Sequence, residues 1–235
     1  MFERAHHRDV ALVLQALSPQ VLAQHRCWFG GGTAMALRYG EYRESVDIDF
    51  LVADGPSYGQ LRKLLDSPAG LAPLVREGLS LELARDVVAD RYGIRTLVRG
   101  GASTIKFEIV HEGRIELDAP GTADAVCGIA TLTPLDLAAE KLLANADRWR
   151  DDAVFSRDLI DLAMMQAPAA LLRQARAKAE RAYGYTDAAA SVTKAIAMLR
   201  DRTHRLDECM RAMQIATVTP AQLWQRIRRL EKTFG

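Results

Sequence analysis

The chain has 235 residues, 49% of them apolar and 26% charged, with a net charge of +1. That is ordinary globular composition, enough to build one large domain or two lobes. No apolar run approaches the roughly 20 residues that span a bilayer, and MFERAHHRDVALVLQAL lacks a signal-peptide core, so a cytoplasmic protein without a membrane partner is expected. Cys27, Cys127 and Cys209 are odd in number and widely spaced, which argues against a disulfide framework or a zinc site. The charge is uneven: residues 1–130 carry −3, residues 131–235 carry +4, and the stretch from residue 162 onward carries +7. A basic C-terminal half points toward a nucleic-acid acceptor, although Arg-rich solvated helices carry the same signature.

In chain order, residues 8–24 show helical apolar spacing and predict one or two helices, with His6-His7 read as a solvated N-terminal feature. A strand follows over 26–29, then a helix over 33–39 stopped near Gly40, then a strand over 47–52. Asp54-Gly55-Pro56-Ser57 caps a helix running to about Leu65. Residues 71–87 read ambiguously, helix first and then strand. Residues 94–98 and 104–110 alternate like neighbouring strands joined by Arg99-Gly100-Gly101-Ala102. After residue 118 the texture turns helical. Thr133-Pro134-Leu135-Asp136 is a helix start, and Thr219-Pro220-Ala221-Gln222 repeats it. Between them helices are expected at about 151–166, 168–183 and 186–213, with Gly184 and Thr186-Asp187 marking a break.

The stretch from Phe29 to Phe50, FGGGTAMALRYGEYRESVDIDF, carries the chemistry. A glycine-rich turn feeding a helix N-terminus is a phosphate-binding arrangement, because first-turn amides lack intrahelical partners and the helix dipole favours an anion. In Asp47-Ile48-Asp49-Phe50 the alternation puts both carboxylates on one strand face. Such a pair repels unless a cation lies between, and oxygen-only clusters suit Mg2+. Glu108, sharing a strand face with Lys106, is the candidate third carboxylate if its strand lies beside 47–52; a solvated strand face looks the same. Lys141 sits on the apolar side of its helix, where it either snorkels or meets phosphates. Asp158 and Asp161, three apart among apolar residues, can pair with it.

Gly31, Gly32, Thr33 and Ala34, then Arg43, Ser45, Asp47, Ile48 and Asp49, resemble the first motif of the AbiEii/AbiGii-type nucleotidyltransferase toxins. Lys106-Phe107-Glu108-Ile109 resembles the family's second motif. Leu137 to Leu142 and Arg157-Asp158-Leu159-Ile160-Asp161-Leu162 resemble its later ones, with Ile160 where the family often has Tyr. The resemblance implies an α/β nucleotidyltransferase fold, a mixed sheet with covering helices followed by an α-helical lobe. Residues 1–130 would form the core, and 131–235 the helical lobe completing the nucleotide site. It implies transfer of a nucleoside monophosphate from an NTP, with Asp47, Asp49 and Glu108 holding Mg2+ (or Mn2+). Gly31, Gly32, Thr33, Arg43, Ser45 and Lys141 would serve the nucleotide, Arg43 and Ser45 through phosphate or through the loop itself. Asp158 would orient Lys141 or take the acceptor proton. The expected partners are a tRNA or other RNA acceptor and a separately encoded antitoxin. A small hydroxylated acceptor and a non-catalytic nucleotide-binding module are the alternatives.

Overall fold

The computed structural model describes residues 2–184 and 187–234; the break expected at Thr186 lies outside the described residues. Packing divides the chain into two units, Met1–Glu41 with Ser45–Thr133, and Tyr42–Glu44 with Pro134–Gly235.

The first unit opens with α1 (Ala5–Ala16) and α2 (Pro19–Gln24), the latter capped by Ser18, whose hydroxyl accepts the Val21 N–H. Then come β1 (Trp28–Gly30), α3 (Gly31–Arg38), β2 (Ile48–Val52) and α4 (Gly55–Leu65), where the Asp54 carboxylate caps the Ser57 N–H as the sequence foretold. Strands β3 (Leu83–Ala89), β4 (Gly93–Gly100) and β5 (Ser103–His111) complete a five-stranded sheet in the order β1-β2-β5-β4-β3. Only β2 and β5 run parallel; the other neighbours are antiparallel. A two-stranded ribbon, β6 (Ala125–Val126) and β7 (Ile129–Ala130), follows.

Strand alternation sorts the sheet into two chemistries. Phe29, Phe50, Ile109 and Ile94 are mutual register partners across β1, β2, β5 and β4, and all are buried. Phe50 lies 5.6 Å, ring centre to ring centre, from both Phe29 and Phe107. One residue away along each strand runs a polar row: Gly30, Asp49, Glu108 and Arg95. Burying the aromatic row therefore fixes the register that lines up the acids.

The second unit is helical: α5 (Pro134–Arg148), α6 (Arg157–Met165), α7 (Ala169–Ala182), α8 (Ala188–Asp201), α9 (Arg205–Ala212) and α10 (Pro220–Phe234). Helix α5 packs against α6, α7 and α8, and α10 against α6 and α8. The single helix expected over 186–213 is two, separated by His204 in the left-handed region. The helix expected from 151 begins instead at Arg157, after left-handed Phe155 and Ser156.

Candidate active site

Within the sheet unit the turn and the acids meet at Gly31. Its φ is +67°, and a Cβ placed there would lie 2.9 Å from the Asp49 Cβ. Glycine is needed twice over, for the left-handed backbone and for the close approach to Asp49. Gly32 is the second residue of α3, and the N-cap residue, Gly30, supplies no side-chain cap. Thr33 is buried and donates its hydroxyl to Ser45 Oγ at 2.9 Å. Ser45 in turn donates its backbone N–H to His7 Nε2 at 3.2 Å, while His7 Nδ1 bonds Glu41 Oε1 at 2.8 Å. Because Nε2 accepts, the proton sits on Nδ1. His7 is thus a fully buried residue bracketing the Ser45 loop, not a solvated one as its sequence position suggested. Nothing in the sequence around it carried that signal; the partner is 38 residues away. Glu41 feels burial, which raises its carboxyl pKa, but the Glu3 N–H, His7 and the Arg4 N–H outweigh it and hold the group low.

Asp47 directly precedes β2, and Asp49 pairs in register with Glu108 of β5, the neighbour relation on which the third carboxylate depended. Glu108 Oε1 accepts from Arg95 Nε at 3.1 Å and Oε2 from Lys106 Nζ at 2.5 Å. Lys106 has its pKa raised chiefly by that bond to Glu108, with Asp49 and Asp47 adding to it against burial. The Lys106 ammonium thus feels three carboxylates, and Arg95 shares Glu108 with it. The donor chemistry, oxygen only, fits a hard dication. The arrangement is held by cationic side chains, and among the described residues no three His, Cys, Asp or Glu side chains stand grouped as a metal site.

A second cluster lies in the helical unit. Asp161, 0% exposed, accepts from Tyr42 OH (2.6 Å) and Arg43 Nε (2.7 Å) on Oδ1, and from Arg43 Nη2 (3.0 Å) on Oδ2, with Lys141 Nζ 2.6 Å from Oδ2. Asp158, one helical turn earlier on α6, takes Lys141 Nζ at 3.1 Å and Arg148 through Nε (2.7 Å) and Nη2 (2.9 Å). Burial raises both carboxyls, yet the cations win: Arg43 and Lys141 hold Asp161 far below the usual range, and Lys141 and Arg148 hold Asp158 below it. Tyr42 is pushed well up by burial and by the Asp161 charge. Arg43 is 2% exposed, with its guanidinium on Asp161 and on the Glu44 carbonyl. Lys141, buried too, faces the acids it was expected to pair with. Arg43, Lys141 and Arg148 against Asp158 and Asp161 leave one positive charge in surplus. Among the described residues no helix is long and apolar enough to cross a membrane.

The fold is shared with known proteins. MenT4, a nucleotidyltransferase toxin from Mycobacterium tuberculosis H37Rv, superposes with a TM-score of 0.51 at 20% identity, over 98% of this chain and 85% of MenT4. JHP933 from Helicobacter pylori gives a TM-score of 0.50 at 19% identity, over 100% of this chain and 94% of that one. At such identities the likeness speaks for the fold alone. A search of individually curated proteins finds no match to the sequence. The sequence profile described as "Nucleotidyl transferase AbiEii toxin, Type IV TA system" matches residues 12–230, a span that contains every acid, glycine and lysine of the two clusters, and the chain belongs to this family of nucleotidyltransferase toxins.

Proposed function

We propose that this toxin transfers a nucleoside monophosphate from an NTP to the 3′ hydroxyl of an RNA, with tRNA as the acceptor class, and that a separately encoded antitoxin restrains it. The observation that carries the reading is the Gly31–Asp49–Glu108 alignment: a turn with a helix N-terminus directly against paired carboxylates. Asp47, Asp49 and Glu108 are the residues that would hold Mg2+ or Mn2+, Glu108 exchanging its Lys106 and Arg95 contacts for the ion. When bound, the ion supplies charge neutralisation to the triphosphate and lowers the barrier to attack by the acceptor oxygen.

In the reaction the acceptor hydroxyl gives up its proton to solvent as its oxygen bonds to the α-phosphorus, the bond from that phosphorus to the bridging oxygen breaks, and pyrophosphate leaves. Gly31, Gly32 and the start of α3 bind phosphate through backbone N–H groups. Thr33 and Ser45, bonded to each other, shape that turn. Lys141 and its partners contribute the surplus positive charge, a counter-charge for phosphate. Asp158, bonded to two cations and held below the usual carboxylate range, is a poor proton acceptor at neutral pH; we assign it the orientation of Lys141 and Arg148.

The RNA reading rests on the +7 excess after residue 162. It is supported by a cleft of about 190 Å3 lined by Arg226 and Arg229 above Leu162, Leu172 and Leu230. The test is incubation with α-labelled NTPs, Mg2+ and total tRNA. Label is expected on RNA, reduced by Arg226→Glu and Arg229→Glu and by added salt, since phosphate contacts exchange with counterions. Label on small molecules or protein alone, or insensitivity to both reversals, overturns the RNA acceptor.

A further inference from the structure

Asp161 is the most heavily engaged side chain of the helical unit. Both of its oxygens are shared, Oδ1 between Tyr42 and Arg43, Oδ2 between Arg43 and Lys141. Two of those three partners come from a segment only three residues long, Tyr42–Glu44, which packs with the helical unit while the residues before and after it in sequence belong to the sheet unit. The segment is tied at its other end as well, by the Glu44 N–H to the Met213 carbonyl at 3.1 Å, and Arg43 Nη1 reaches the Glu44 carbonyl at 2.8 Å. The next residue, Ser45, is bonded to Thr33 through its hydroxyl and to His7 through its N–H. Asp47 lies only four residues from Arg43, so the chain between them reaches at most about 14 Å.

A carboxylate with four polar contacts, none of them to solvent, is over-determined for fold stability alone; hydrophobic side chains of the same volume would fill the space as well or better. What such a hub supplies that apolar packing does not is a fixed direction. The guanidinium fork meets the carboxylate through two parallel bonds and so sets the orientation of Arg43. We propose that Asp161 is a positioning residue for nucleotidyl transfer: through Arg43 and Tyr42 it fixes the run from Tyr42 to Ser45 and Asp47, and so the placing of Asp47. The inference rests on the transfer activity proposed above.

The test uses the full chain and three variants of graded severity. Tyr42→Phe deletes one hydroxyl, Arg43→Lys keeps the charge and loses the fork, and Asp161→Asn keeps the volume and loses the charge. Hydrogen exchange in the nucleotide-free protein is expected to rise about tenfold or more over residues 42–47 in all three, while Ser103–His111 of β5 keeps its wild-type protection in Tyr42→Phe and loses protection in Asp161→Asn only as far as global stability falls. In the label-transfer assay, turnover per folded molecule is expected to fall about tenfold in Tyr42→Phe and about a hundredfold in Arg43→Lys, with the KM for NTP within about twofold of wild type. A purely structural hub would lower the melting temperature and leave turnover per folded molecule intact. That result overturns the inference, as does wild-type exchange over 42–47 in Tyr42→Phe and Arg43→Lys. If wild-type protein transfers no label, the proposed activity is what fails, and exchange over 42–47 alone then decides whether Asp161 anchors the run.

Discussion

At the scale of single residues, the buried carboxylates decide how this protein responds to acid. A carboxyl whose folded pKa lies below its unfolded value stabilises the fold at every pH above that unfolded value, near 3.9 for Asp, and the stabilisation drains as pH falls toward the folded value. Asp161 and Asp158 are both depressed, the first by Arg43 and Lys141, the second by Lys141 and Arg148, against burial that raises each. The melting temperature of wild type should therefore hold from neutrality to about pH 4 and then drop steeply. Asp161→Asn leaves two buried cations short of a partner and should cost about 3–5 kcal/mol at pH 7. Having no carboxyl to protonate there, it should also show a shallower acid limb. Thermal melts across pH 2.5–7 are the measurement, and an acid limb as steep as wild type's would show that Asp161 is not the group lost. Gly31 is the other residue that tolerates no exchange. Gly31→Ala must hold φ near +67° with a Cβ against Asp49. A loss of about 1–3 kcal/mol in thermal unfolding is expected, and full transfer activity in that variant would contradict the placing of Asp49.

Elements that carry their own periodicity were legible, and those whose chemistry depends on a distant partner were not. Strand β5 announces itself: Ile105, Phe107 and Ile109 are buried while Lys106 and Glu108 are not, as alternation demands. The pairing of β5 with β2 was the condition on which Glu108 was read as a third carboxylate, and the register of Asp49 with Glu108 meets it. Strand β3 read only ambiguously because it is a sheet edge with most of its side chains exposed and with two register irregularities against β4, which break the period-two pattern. Helix α6 was placed too early for a related reason: Phe155 and Ser156 are both left-handed, a conformation that neither residue type signals. The site divides the same way. Gly31, Asp49 and Glu108 lie on regular elements, Asp47 directly precedes one, and all four were candidates from spacing. His7 could not, since its importance lies in a bond to Ser45. Arg43 was read with Ser45, and only the fold reveals that its partner is Asp161, 118 residues away.

At the scale of the whole molecule, charge and chemistry are segregated. The sheet unit carries the acids that suit a cation, and the helical unit carries the positive excess. Part of that excess is spent internally, since Lys178 pairs with Asp136, Arg176 with Glu180 and Arg200 with Glu231. Arg173 and Arg229 stay exposed. Membership of a toxin family of nucleotidyltransferases fixes the reaction class. The central claim, that paired carboxylates beside a glycine turn move the α-phosphoryl group of an NTP together with its nucleoside, is tested most directly by parallel reactions. One set contains α-labelled and the other γ-labelled NTP, each with Mg2+ and tRNA, using wild type and Asp49→Asn. Transfer of α-label to the acceptor, release of γ-label as pyrophosphate, and loss of both in Asp49→Asn with the melting profile preserved are the predicted result. Appearance of γ-label on the acceptor, or α-label transfer undiminished by Asp49→Asn, would contradict it.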